Sequence, residues 1–126
     1  MSHIQSNFGV VTENSIGRIT IFDTDNLTVL HQINVPSYDY IDVAITRNCA
    51  RALVTAFSAA RVIQLDLTQE PPQVIDDEPT PLAAVDVSLT PDSRFGIITD
   101  GDFFIGPGGP GITSYNLQSQ MIVSTS

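Results

Sequence analysis

The sequence predicts an all-β chain built from repeated four-stranded antiparallel units. Three observations lead there. Short runs rich in Val, Ile, Thr and Phe are bounded by turn residues such as Asp25-Asn26, Pro71-Pro72 and Pro91-Asp92. The runs return at a fixed spacing. Polarity alternates within them: Ile41, Val43 and Ile45 fall on one face, Asp42 and Ala44 on the other.

The spacing appears in three registers. Phe8-Gly9-Val10-Val11-Thr12 aligns with Phe95-Gly96-Ile97-Ile98-Thr99, and Ala52-Leu53-Val54-Thr55 lies between them. Thr12, Thr55 and Thr99 are separated by 43 and 44 residues. Arg18-Ile19-Thr20-Ile21-Phe22-Asp23 matches Arg61-Val62-Ile63-Gln64-Leu65-Asp66, 43 residues on, and a looser copy, Gly111-Ile112-Thr113-Ser114-Tyr115-Asn116, follows after 50 more. Ile41-Asp42-Val43-Ala44-Ile45-Thr46 matches Val85-Asp86-Val87-Ser88-Leu89-Thr90, 44 residues on.

Taken in order, residues 1–36 form a first unit, with strands near Gly9–Glu13, Arg18–Asp23 and Leu27–Asn34. It lacks an innermost strand, because Met1 to Asn7 is short and polar. Residues 37–80 form a second, with strands near Ile41–Thr46, Ala52–Phe57, Arg61–Asp66 and Gln73–Ile75. Residues 81–126 form a third, with strands near Ala84–Thr90, Gly96–Asp100, Ile112–Asn116 and Met121–Ser124. One segment competes. Leu53, Ala56, Phe57 and Ala60 are spaced as on a helix face, in an Ala-rich stretch. Its aligned copies are strand-like, and stacked repeats share one structure, so a strand is expected.

Four strands in about 43 residues is the period of a β-propeller blade. The letters are more specific. Val85 to Thr99, Val-Asp-Val-Ser-Leu-Thr-Pro-Asp-Ser-Arg-Phe-Gly-Ile-Ile-Thr, resembles the repeat unit of bacterial and archaeal YVTN-type β-propellers. Ile19 to Val29, Ile-Thr-Ile-Phe-Asp-Thr-Asp-Asn-Leu-Thr-Val, is similar to another stretch of that unit. Arg47-Asn48-Cys49-Ala50 departs from the expected Pro-Asp-Gly, and the final Asn of the motif is missing throughout. The resemblance implies surface, scaffold or periplasmic proteins, with lactonase-like enzymes as relatives, and carries no catalytic residue across. Propellers close with about four to eight blades. Three blades are therefore expected to be incomplete: part of a larger propeller, a unit that self-associates through its open edges, or an open stack.

Composition narrows the partners. Fourteen acidic residues face five basic ones, all Arg, for a net charge of −9. This disfavours nucleic acid, whose binding needs clustered cations, and anionic membrane surfaces. Cys49 is the one cysteine, so no intrachain disulfide forms, and it is expected to be a small buried hydrophobe. No run of about 18 apolar residues occurs. The chain does not begin with a basic region followed by an apolar run, and the compartment stays open.

In a blade, the links between strands two and three, and between strand four and the next blade, emerge on one face. Mapped here, that face gathers Tyr38, Asp39 and Tyr40, then Asp76, Asp77 and Glu78. It also gathers an inserted loop, Asp100 to Gly111, with Asp102, Phe103 and Phe104. Exposed apolar clusters mark interaction sites, so these ten residues are the candidate ligand- or protein-binding surface. Gly106 to Gly111 satisfies G-x-G-x-x-G, but a strand follows where a nucleotide site needs a helix. Asp23-Thr24-Asp25-Asn26 reads as a turn, lacking the Gly and Glu of a calcium loop. Asp42 and Asp86 recur on an inner strand and are expected to hydrogen-bond a neighbouring turn. His3 and His31 do not make a metal pair. No cofactor, metal or catalytic residue is assigned. The expected function is a non-catalytic repeat module with a binding or scaffold surface. The alternative is part of a propeller enzyme such as a lactonase-like hydrolase.

Overall fold

The computed structural model describes residues 8–34, 38–81, 83–100 and 111–125. Asp102, Phe103 and Phe104 lie outside them. Among the described residues, eleven strands form three antiparallel sheets, each a meander in chain order. The first holds β1 (Phe8–Glu13), β2 (Arg18–Asp23) and β3 (Val29–Asn34). The second holds β4 (Tyr40–Ile45), β5 (Arg51–Ala56), β6 (Arg61–Asp66) and β7 (Gln73–Pro79). The third holds β8 (Ala84–Leu89), β9 (Phe95–Asp100), β10 (Ile112–Asn116) and β11 (Met121–Thr125).

Each turn has a local cause that repeats with the sequence. Asp23 Oδ1 accepts the N–H groups of Asp25 and Asn26 at 2.7 and 3.2 Å. Asn116 Oδ1 accepts those of Gln118 and Ser119 at 2.9 and 3.0 Å. Asp66 Oδ1 accepts from Thr68 at 2.9 Å. These are side chains standing in for a backbone turn at equivalent positions, so the Asp23 segment is the turn the sequence predicts. The inner turns repeat as well. Arg51 N–H donates to Thr46 Oγ1 at 3.0 Å, and Phe95 N–H to Thr90 Oγ1 at 3.1 Å. Cys49 (φ 62°) and Ser93 (φ 60°) both take the left-handed conformation. The Arg47-Asn48-Cys49-Ala50 turn thus differs from Pro-Asp-Gly in letters and not in shape. Cys49 is only partly buried, against the core between the first two sheets.

The core lies between sheets. Phe8, Ile19 and Ile21 of the first sheet pack with Tyr40, Val54, Ile63 and Leu65 of the second. Leu53 and Val62 of the second pack with Val87, Ile98 and Tyr115 of the third. The second sheet is therefore covered on both faces. All residues from Ala52 to Ala56 are buried, which removes the alternation expected of a one-sided strand and leaves an apolar run. No helix spans Ala50 to Arg61; β5, a turn and β6 do.

Two expectations are corrected. β3 begins at Val29, because the segment before it is the Asp23 turn, closed by Leu27 N–H donating to Asp23 C=O at 2.8 Å. β7 runs from Gln73 to Pro79, so Asp76, Asp77 and Glu78 are strand residues and not a loop. A register shift at Gln64/Leu65 lets β7 keep pairing with β6, to the match of Pro79 with Arg61. Asp100 is the last residue of β9, as the expected strand bound has it, and pairs with Ala84.

Gly96 shows how closely the second and third sheets approach. A Cβ there would lie 2.3 Å from Leu53 Cδ1, and Leu53 is fully buried. Gly96→Ala is expected to cost about 1–3 kcal/mol in denaturant unfolding, and much less in a Leu53→Ala background, where the obstructing methyl is gone. Equal costs in both backgrounds would show that the contact is not the cause.

Candidate functional site

Two polar clusters and one cleft form on and beside the second sheet. Tyr38 O–H donates to Asp77 Oδ2 at 2.8 Å. Arg61 grips the same residue, donating from Nε to the Asp77 carboxylate and from Nη2 to its carbonyl at 3.1 Å. The Tyr38 and Tyr40 rings meet edge to face, with centroids 5.9 Å apart. Burial and the Asp77 hydrogen bond raise the Tyr38 phenol above its ordinary pKa. Burial, then the Asp77 charge, push Tyr40 up to about 12. Asp39 serves the β5–β6 turn, accepting the Ser58 N–H at 2.9 Å and the Ser58 hydroxyl at 2.7 Å. Burial opposes its ionisation, yet these bonds hold it below the usual carboxylate value.

The structure therefore brings Tyr38, Tyr40 and Asp77 together, but not with Asp76 and Glu78. Successive residues of a strand face opposite ways. Asp76 faces the third sheet, where its Oδ2 accepts the Tyr115 hydroxyl at 2.5 Å. Gln64 Nε2 donates to the same hydroxyl oxygen at 2.9 Å and to the Leu117 carbonyl at 3.2 Å. Tyr115 is fully buried, and burial, then Asp76, raise its pKa. Partial burial and its neighbour Asp76 raise Glu78 as well. Arg61, Gln64 and Tyr115 complete these clusters and were missed in the sequence. Their positions in strand cores read as structural, and the pairings cross 16 to 51 residues.

The cleft, of about 610 Å³, opens at the other end of the stack, between the second and third sheets. Its wall is made by the inner turns and the β10–β11 turn: Asn48, Arg51, Asp92, Arg94, Gln118 and Gln120, with Gln64 and Ile75 behind. Arg51 Nη1 is tied to Asp66 Oδ1 at 2.7 Å. The Arg94 guanidinium lies 5.4 Å from the Phe95 ring centroid. Amides and guanidinium groups suit hydrogen bonding to a polar ligand. Asn48 and Asp92, 44 residues apart, were the signal available for this end of the stack. Among the described residues, no three His, Cys, Asp or Glu side chains are grouped to hold a metal ion.

Comparison with known proteins bears on the fold. No family model and no curated protein matches the chain. A functionally unknown protein from Desulfotomaculum acetoxidans is similar at 34% identity and a TM-score of 0.86, over 95% of this chain and 36% of that one. Hydrazine synthase from Kuenenia stuttgartiensis is similar at 14% identity and a TM-score of 0.83, over 94% of this chain and 32% of that one. The chain spans about a third of the length of each. The second likeness is one of fold alone.

Two tyrosines separate networked from orphaned hydroxyls. Tyr115→Phe leaves half-buried Asp76 without its donor and buried Gln64 without one of its acceptors, and is expected to cost about 1–3 kcal/mol. The Tyr40 hydroxyl is buried with no hydrogen-bond partner among the described residues. Tyr40→Phe is expected to be neutral or stabilising in thermal unfolding, because it removes an unsatisfied group. A loss at Tyr40 equal to that at Tyr115 would contradict this assignment.

Proposed function

We propose that the chain is a run of three β-propeller blades of the YVTN type, a segment of a larger propeller that serves as a non-catalytic binding or scaffold module. The observation that carries this reading is where the polar side chains go. Asp76 and Gln64 each bond Tyr115 between two sheets, Asp42 bonds the next sheet, and Asp77 joins Arg61 to Tyr38. Groups that a catalytic site would gather on a reacting atom are here committed to joining strands and sheets. The return of the strand quartet after 43 or 44 residues, and the greater length of both similar proteins, support the same reading.

Under it, contact with a ligand or partner falls to the ends of the stack, where turns emerge. The cleft beside Arg51 and Arg94 is the better-formed surface. The Tyr38–Asp77–Arg61 cluster is already internally paired, so it offers a partner less.

A chimera tests the blade reading. This chain is substituted for the matched segment of the Desulfotomaculum acetoxidans protein. The expected product is a monomer that melts in one cooperative transition, because each sheet finds a neighbour of the right shape. A chimera that aggregates, or melts in two separated steps, would overturn it.

A further inference from the structure

β8 is the first strand of its sheet, with β9 on one side only. Alternate backbone groups of such a strand point away from the ladder and need other partners. Two of them are met by the second sheet. Val87 N–H donates to Asp42 Oδ2 at 3.0 Å, and Val85 C=O accepts the Thr55 hydroxyl at 2.8 Å. Beside this latch, Leu53 and Val62 are 0% and 1% exposed, pressed against the third sheet.

The same face recurs 44 residues later. Asp86 stands where Asp42 does, Thr99 where Thr55 does, and Ile97 where Leu53 does; Ile112 takes the place of Val62. There the surroundings differ. Asp86 and Thr99 are exposed, and Ile112 is 48% exposed. Thr99 Oγ1 accepts the Asp86 N–H at 3.2 Å and keeps its own proton to donate. Among the described residues the Asp86 carboxylate meets no donor. An acceptor, a donor and an apolar floor are thus laid out as on the second sheet, with nothing described against them.

We infer, given the blade reading above, that this face is the docking surface for a fourth sheet of the same repeat. Asp86 takes an outward N–H of that sheet's inner strand, and Thr99 gives its proton to the C=O two residues earlier. Ile97 and Ile112 are covered by the body of the sheet. The occupant follows from continuity. The interface already formed between the second and third sheets is propagated by one more unit, and the similar proteins extend well beyond this chain.

The test uses the full chain and the full chain extended by a second copy of residues 81–126. In the extended chain, Asp86→Ala and Thr99→Val should each lower the melting temperature by about 2–4 °C, the shift that the loss of roughly 1 kcal/mol gives in a chain of this size. Asp42→Ala should do the same in both chains. In the unextended chain, Asp86→Ala should change it little, and Thr99→Val should cost no more than its exposed bond from the Asp86 N–H. An extended chain that melts cooperatively but ignores Asp86→Ala would overturn the latch and leave the blade reading to the chimera. Separate melting of the added unit would overturn the docking surface itself. Dimerisation of the unextended chain, abolished by Asp86→Ala, would place a second copy there and overturn the assignment of a fourth sheet.

Discussion

An inner strand with a neighbour on one side only has backbone groups that no ladder can satisfy, and this constraint organises the chain. Leaving such groups buried and unpaired costs as much as a lost hydrogen bond. The answer here is a carboxylate and a hydroxyl sent across from the preceding sheet, Asp42 to Val87 N–H and Thr55 to Val85 C=O. These bonds set how the second and third sheets sit against each other. The close approach of Leu53 to Gly96, and the burial of Tyr115 over Gln64 and Asp76, depend on that placement.

The packing direction also explains the chemistry. Sheets that stack face on face bury both surfaces of the middle member, and any polar group there must find a partner in the adjoining sheet. Gln64 is 1% exposed and bonds Tyr115 and Leu117 of the next sheet. Asp77, on the opposite face of β7 from Asp76, is held by Arg61 and Tyr38. Acids that look like a surface cluster when written in a row are therefore divided between two interfaces.

Much of this was legible in the letters. The equivalence of Asp23 and Asp66 with Asn116 gave the turns, and the equivalence of Thr12, Thr55 and Thr99 gave β1, β5 and β9. The helical spacing of Leu53, Ala56 and Ala60 misleads because β5 is buried on both faces, where apolar residues follow no period of two. Asp42 was expected to bond a neighbouring turn; it bonds a neighbouring strand, since the nearest unmet donor belongs to β8. The length of β7 was not legible. Asp76-Asp77-Glu78 has the composition of a loop, and only its tertiary partners, Tyr115 and Arg61, make it a strand. The cleft beside Arg94 escaped notice for a similar reason: its walls come from turns in two sheets, brought together by stacking.

The most direct test of this account is amide hydrogen exchange at Val87 in the native chain and in Asp42→Ala. Removing the carboxylate should speed exchange at Val87 by about tenfold or more, beyond any change at the flanking amides that face β9. Exchange at Val87 that is unchanged, or that rises only in step with those neighbours, would mean that the strand edge is held by something other than Asp42.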